Sequence, residues 1–200
     1  MLDETTGVIH LLFTQNNTVM FATSSSDDGA SWAAPKQVTK PGCPSCWIAP
    51  SFSAVQLKHG SHAGALVACL DYSNLPGHQG GGPVERSGTL ISSDHGETWA
   101  VGATAVLGDE CAIAELSNGT LVLNARNYIN QTAQTVHRSI AWSHDGGRTF
   151  SPVFFPESLP DPVVEGSMVF GNYTPESLGV GMPRKFMRSQ AVCCCLSLTG

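Results

Sequence analysis

Along the chain, short runs rich in apolar and β-branched residues alternate with clusters of Gly, Asn, Asp, Ser and Pro. The runs fall at Val8–Phe13, Thr18–Thr23, Ala65–Leu70, Thr89–Ser92, Ala112–Leu116, Thr120–Ala125, Val136–Trp142 and Ser167–Phe170. None carries its apolar residues at helical spacing, so the pattern predicts strands throughout and an all-β fold. The clearest local unit is a hairpin. Its strands, Ala112–Leu116 and Thr120–Ala125, are joined through Ser117-Asn118-Gly119, and Asn-Gly readily takes the positive φ angles of a tight turn. Glu115 lies within the first of these strands, and its charge predicts an outward-facing side chain. Between Ser73 and Glu85 the run Gly80-Gly81-Gly82-Pro83 excludes a regular strand. It predicts a long inserted loop with Asp71 and Tyr72 at its base.

A longer repeat is laid over this alternation: Ser25-Ser26-Asp27-Asp28-Gly29-Ala30-Ser31-Trp32, then Ser92-Ser93-Asp94-His95-Gly96-Glu97-Thr98-Trp99, then Ser143-His144-Asp145-Gly146-Gly147-Arg148-Thr149-Phe150. Each copy reads Ser-x-Asp-x-Gly-x-Thr/Ser-aromatic. Asp and Ser side chains can bond the backbone N–H groups of a tight turn, Gly supplies the positive φ, and the aromatic ring can tuck beneath. The structural residues are therefore Asp27, Gly29 and Trp32; Asp94, Gly96 and Trp99; and Asp145, Gly147 and Phe150. The copies stand 67 and 51 residues apart. One supersecondary unit repeated at such a period predicts the blades of a β-propeller, with the inserted loop widening the first interval. The pattern stops after Phe170. Residues 172–200 carry Arg184, Lys185, Arg188 and Cys193-Cys194-Cys195 without alternation, so the chain divides into a propeller portion, 1–171, and an atypical tail outside it, 172–200.

Composition refines this picture. With 200 residues, 42% of them hydrophobic and 13% charged, the chain can bury a core and is too weakly charged to be disordered. A net charge of −6 argues against a nucleic-acid or anionic-membrane partner, and no apolar run is long enough for a membrane span. Met1-Leu2-Asp3-Glu4 is not a signal peptide. The sequons at Asn16, Asn118, Asn130 and Asn172 suit a lysosomal or secreted location better than a cytoplasmic one, although Asn118 is also explained by its hairpin turn. The seven cysteines, with a single Cys43-x-x-Cys46 pair, form neither an even disulfide framework nor a zinc-binding set. A loop disulfide or free thiols are expected, and no metal.

The three turns resemble the Asp boxes of sialidases. Between the second and third lies Asp109-Glu110-Cys111-Ala112-Ile113-Ala114-Glu115-Leu116, followed after the turn by Thr120-Leu121-Val122-Leu123-Asn124-Ala125-Arg126-Asn127. This is similar to the sialidase pattern Glu-Cys-Gln-x-x-Glu-Leu, turn, Leu-Asn-Ala/Met-Arg-Asn, with Ala112 where Gln is usual. Further likeness at Gly7–Phe13, Val55–Gly60 and Leu159-Pro160-Asp161-Pro162-Val163 extends the resemblance over residues 1 to about 171. The stretch Pro50-Ser51-Phe52-Ser53 stands where family members often show Gly-Pro-Gly.

On this resemblance the chain is an internal part of an exo-α-sialidase, with about three blades of a six-bladed β-propeller. Arg126 would be one of three arginines that grip the sialic acid carboxylate, and Glu110 the carboxylate that activates a tyrosine nucleophile. The residue types suit the substrate. A planar, permanently charged guanidinium binds a carboxylate bidentately, and a tyrosine nucleophile avoids bringing a second carboxylate to an anomeric centre that already bears one. The implied partners are sialylated glycoproteins, glycolipids or oligosaccharides, within carbohydrate metabolism including ganglioside catabolism, and no cofactor is implied. The family's first arginine and acid Asp belong upstream of the matched part, and its third arginine and Tyr downstream. Tyr128 and Tyr173 stand outside the expected context, and Arg138 reads as a strand residue before the third turn. The expected consequence is a chain inactive by itself. The alternative is a non-catalytic Asp-box propeller that binds glycans or proteins, which would need the three turns but not the Glu110 to Arg126 spacing.

Overall fold

The computed structural model describes residues 1–38, 48–73, 85–103, 106–127, 137–171 and 191–195. These residues form antiparallel β-sheets with one 3-10 turn, Gly60–His62, and no α-helix. The first sheet has the order β1 (Ile9–Gln15), β2 (Val19–Ser25), β3 (Lys36–Gln37). The second runs β4 (Ile48–Gln56), β5 (Leu66–Ser73), β6 (Glu85–Ser92), β7 (Ala100–Val101), with β8 (Val106–Leu107) also on β6. The third is β9 (Cys111–Glu115), β10 (Leu121–Ala125), β11 (Ser139–Ser143). A fourth pairs β12 (Ser167–Gly171) with β13 (Ala191–Cys195), which contains the cysteine triplet. The Cys43-x-x-Cys46 pair, the glycine loop, the sequons at Asn130 and Asn172, Tyr128, Tyr173, Arg184, Lys185 and Arg188 lie outside the described residues.

The eight apolar runs all overlap strands, and β4 is the long strand that the pattern does not predict. Pro50 cannot donate to a ladder, and the register against β5 shifts between Pro50 and Ala54, so a bulge breaks the alternation that would mark the strand. Ser51 and Ser53 instead turn their hydroxyls to the next sheet. Ser51 Oγ accepts from Cys111 N at 3.2 Å and Ser53 Oγ from Ile113 N at 2.9 Å, satisfying backbone donors along β9.

Consecutive sheets stack face to face through two apolar seams. Leu66, Ala68 and Leu70 of β5 join Met20, Ala22, Val38, Leu90 and Trp99 against the first sheet. The alternate residues Val67 and Cys69 join Ile91, Ile113, Leu121 and Leu123 against the third. Because β5 is buried on both faces, its sequence is a continuous apolar run rather than an in–out alternation. Each fully buried Leu contributes about 2 kcal/mol relative to exposure.

The three polar turns share one geometry. In each, the first Ser hydroxyl donates to the Asp, at 2.7 Å (Ser25 to Asp27), 2.8 Å (Ser92 to Asp94) and 2.8 Å (Ser143 to Asp145). The same hydroxyl accepts from the Gly N–H at 2.9, 2.8 and 2.9 Å for Gly29, Gly96 and Gly147. The Asp then accepts both backbone N–H and hydroxyl of Ser31, Thr98 or Thr149. The second and third turns also dock on the preceding sheet: His95 Nδ1 lies 2.8 Å from Asp3 Oδ2, and Gly147 O accepts from Thr89 Oγ1 at 2.6 Å.

Two expectations change. Glu115 does not face solvent: it is 9% exposed, and its carboxylate accepts from the backbone N–H groups of Lys58 at 2.7 Å and His59 at 3.1 Å. Both β9 and β10 are buried on both faces, so the charge is held by these donors instead of water. Nor does every closing aromatic tuck away. Trp99 is 7% exposed in the first seam, whereas Trp32 is 44% exposed. Trp99 is received by the first sheet; Trp32 lies over its own Gly29, and among the described residues no sheet covers its outer face.

Candidate functional site

Glu110 immediately precedes β9 and Arg126 immediately follows β10, so the hairpin register brings together two residues far apart in sequence. Ala125 pairs with Cys111, and one step further out Arg126 N donates to Glu110 O at 2.9 Å. The side chains follow: Arg126 Nη1 donates to Glu110 Oε2 at 2.7 Å, with Asp109 Oδ2 at 3.9 Å. The exposures are graded, with Asp109 at 5%, Arg126 at 17% and Glu110 at 34%. The result is a charged cluster at one hairpin end that solvent reaches mainly through Glu110.

The backbone is fitted closely around it. Asp109 N donates to Arg126 O at 2.9 Å, and the buried Ser87 hydroxyl of β6 donates to Asp109 O. Gly108, at φ 149°, permits the approach: a Cβ there would lie 2.6 Å from Ala125 Cβ and 3.2 Å from Arg126 O. Chemically, a partly exposed guanidinium beside a more exposed carboxylate can receive an anionic group on one side and a proton on the other.

Sequence reasoning missed what lies behind Arg126. Arg138, just before β11, is 1% exposed, and its Nε donates to Asn124 Oδ1 at 2.7 Å. Its Nη1 donates to Val164 O at 2.8 Å and lies 3.4 Å from Asp161 Oδ1. The only sequence signal for this buried pair is a charge at the head of the apolar run Ser139–Trp142 and another between prolines, in Leu159-Pro160-Asp161-Pro162. Glu115 sits at the opposite end of β9. There a cavity of about 940 Å³ is lined by Gln56, Lys58, Glu115, Glu165 and Met168 among others, and it includes none of Asp109, Glu110 or Arg126. Asp71 is buried and Tyr72 half-buried against the first seam. Cys69 and Cys111 are buried free thiols, and burial pushes the Cys69 thiol well up. Among the described residues no cluster of His, Cys, Asp and Glu is placed to hold a metal ion, and no helix is long and apolar enough to cross a membrane.

Comparison with known proteins bears on this site. The BNR repeat-like domain family matches residues 2–178. The chain is 33% identical to a sialidase of Micromonospora viridifaciens over 152 residues, 73% of this chain and 22% of the relative. It is 30% identical to an exo-alpha-sialidase of Arthroderma benhamiae over 155 residues, 76% of this chain and 32% of that protein. The chain thus spans between about a fifth and a third of the length of these curated relatives. Among solved structures, a Hadza microbial sialidase superposes with a TM-score of 0.63 at 22% identity, over 85% of this chain and 35% of its own. The leech intramolecular trans-sialidase does so with 0.61 at 20% identity, over 80% and 22%. With antiparallel sheets throughout, three matching turns and a family match over most of its length, the chain belongs to the exo-alpha-sialidase and BNR-repeat family.

Proposed function

We propose that this chain is part of an exo-α-sialidase, a retaining glycoside hydrolase that releases terminal sialic acids from glycoproteins, glycolipids or oligosaccharides, and that its stacked sheets are blades of a six-bladed propeller. The observation that carries the reading is the 2.7 Å contact between Arg126 and Glu110 at one hairpin end. In this reading Arg126 grips the substrate carboxylate. Glu110 takes the proton from a tyrosine nucleophile, so that the nucleophile becomes anionic only beside a fixed base. The tyrosine, the acid and the other two arginines come from outside the matched motifs. The 200 residues alone therefore bind sialic acid weakly and do not turn it over, because removing nucleophile and acid together costs many orders of magnitude in rate.

Saturation-transfer NMR with N-acetylneuraminate, run beside a fluorogenic sialoside assay, tests this. Expected are binding that weakens at least about tenfold in Arg126→Ala, as for loss of a charged hydrogen-bonding partner, and no turnover. Absence of binding to the wild-type chain would sink the clamp assignment. Turnover lost in both Glu110→Ala and Arg126→Ala would overturn the claim of inactivity. The reading of a non-catalytic propeller predicts that Arg126→Ala leaves glycan binding unchanged.

A further inference from the structure

We infer that Arg138 and Asp161 are positioning residues for Arg126: one buried ion pair fixes the chain on both sides of that arginine. The inference rests on Arg126 holding the substrate carboxylate.

The β10–β11 ladder ends at Ala125 opposite Ser139, so Arg126 stands where the sheet no longer holds the strand on that side. Toward β9 it is fixed by the backbone bonds to Glu110 and Asp109. Toward the third turn, Arg138 and Asp161 take over. Arg138 binds Asn124, two residues before Arg126, through Nε to Oδ1 at 2.7 Å and Nη2 to the backbone O at 3.4 Å. Asp161 binds Asn127, the next residue, by accepting its N–H at 2.6 Å. Asn127 Nδ2 donates to His137 O at 2.9 Å, tying the same residue to the neighbour of Arg138. Asp161 is itself held, accepting Val163 N at 2.8 Å, and Arg138 reaches Val164 O. Gly166 gives the guanidinium room: a Cβ there would lie 3.1 Å from Arg138 Nη2.

Stability alone is a poor reason for this arrangement. A buried ion pair is often no more stabilising than well-packed apolar residues of the same volume. What it offers is geometry, because a guanidinium donates in several fixed directions from one plane and so ties Asn124, Val164 and Asp161 at once. A charged clamp needs that register, since a displacement of about 1 Å in a positioned group costs about a hundredfold in rate.

The test uses the ¹⁵N-labelled 200-residue chain. The Nε–Hε signal of Arg126 is assigned by its loss in Arg126→Lys. In Asp161→Asn, which keeps the shape and removes the charge, the Arg126 signal is expected to shift or broaden and the Kd for N-acetylneuraminate to rise at least about tenfold. Ile48→Val, a change in the seam against the first sheet that lowers Tm without touching the network, is expected to leave both unchanged. Arg138→Lys keeps the charge but loses the fork, and is expected to behave as Asp161→Asn does. An Asp161→Asn or Arg138→Lys protein that lowers Tm yet leaves the Arg126 signal and affinity as in wild type would overturn the proposal, as would unfolding of both of these variants where the wild type is folded, which would make the pair an element of the fold alone. If the wild type binds no N-acetylneuraminate, the clamp reading fails. The response of the Arg126 signal to Asp161→Asn then decides the positioning role by itself.

Discussion

Asp27, Asp94 and Asp145 each hold a turn through the same short-range bonds, and the carboxylates respond alike. Hydrogen bonds from the Ser31 hydroxyl and N–H, with Ser25, bring Asp27 down to about 2. Burial raises the Asp145 carboxyl, but bonds from Thr149, Ser143 and Arg148 outweigh it and bring it to about 2. The folded value lies below the unfolded one, so the contribution is complete above about pH 4 and is lost as pH falls toward 2. Asp145→Ala is expected to cost about 1–2 kcal/mol at neutral pH, lowering Tm by about 2–8 °C. Calorimetry from about pH 7 to about pH 3 should find the gap to wild type narrowing at the acid end. A gap that stays constant would mean that the charge plays no part. This motif was legible in the sequence because all of its bonds fall within five residues of one another. Arg138 and Asp161 were not legible as a pair, because 23 residues separate them and only the return of the chain past the third turn makes them neighbours.

At the scale of elements, each turn closes a strand pair, and the second and third also meet the preceding sheet. Gly29 and Gly96 occupy the same place in the repeat, with φ of 86° and 83°. They differ in what they meet. A Cβ at Gly29 would have its nearest neighbour, Trp32 Cζ2, at 3.8 Å, whereas at Gly96 it would lie 2.1 Å from Cε1 of His10, a ring 5% exposed and edge-on to Trp99 at 6.2 Å. Gly29→Ala is expected to cost about 1 kcal/mol, the strain of a left-handed alanine, and Gly96→Ala about 3 kcal/mol or more, because His10 must leave the seam. Adding His10→Ala to Gly96→Ala should cost less than the sum of the two single losses. Equal losses at the two glycines in denaturant titrations would deny the docking role. The elements that escaped the sequence have physical causes too. β3, β7 and β8 are two residues each, too short to show a period, and β4 carries Pro50 and a register shift. The Glu110 to Arg126 hairpin was legible through its motif and its Asn118-Gly119 turn, where Asn118 Oδ1 accepts from Thr120 N at 3.0 Å.

Across the whole molecule, the described sheets follow one another in chain order, the second and third are buried on both faces, and among the described residues no other sheet rests on the outer side of the first. In the described residues the ladder of β1 is with β2, apart from a single bridge between Leu2 and Ile9. Leu11 and Leu2 on this side are 47% and 52% exposed. An exposed apolar edge strand is a template for pairing with another chain, and a net charge of −6 spread over 200 residues opposes it only weakly. The purified 200-residue chain is therefore expected to self-associate as concentration rises. Leu11→Lys should reduce this without loss of fold, because Leu11 stands opposite Thr23 on β2 and the ladder bonds are made by backbone. Sedimentation velocity at about 5 and about 100 μM, with circular dichroism on both proteins, distinguishes the outcomes. A fall in the associated fraction for Leu11→Lys at unchanged β signal places the contact on β1. A wild-type chain that stays monomeric at the higher concentration would overturn the expectation that this edge pairs with a second copy.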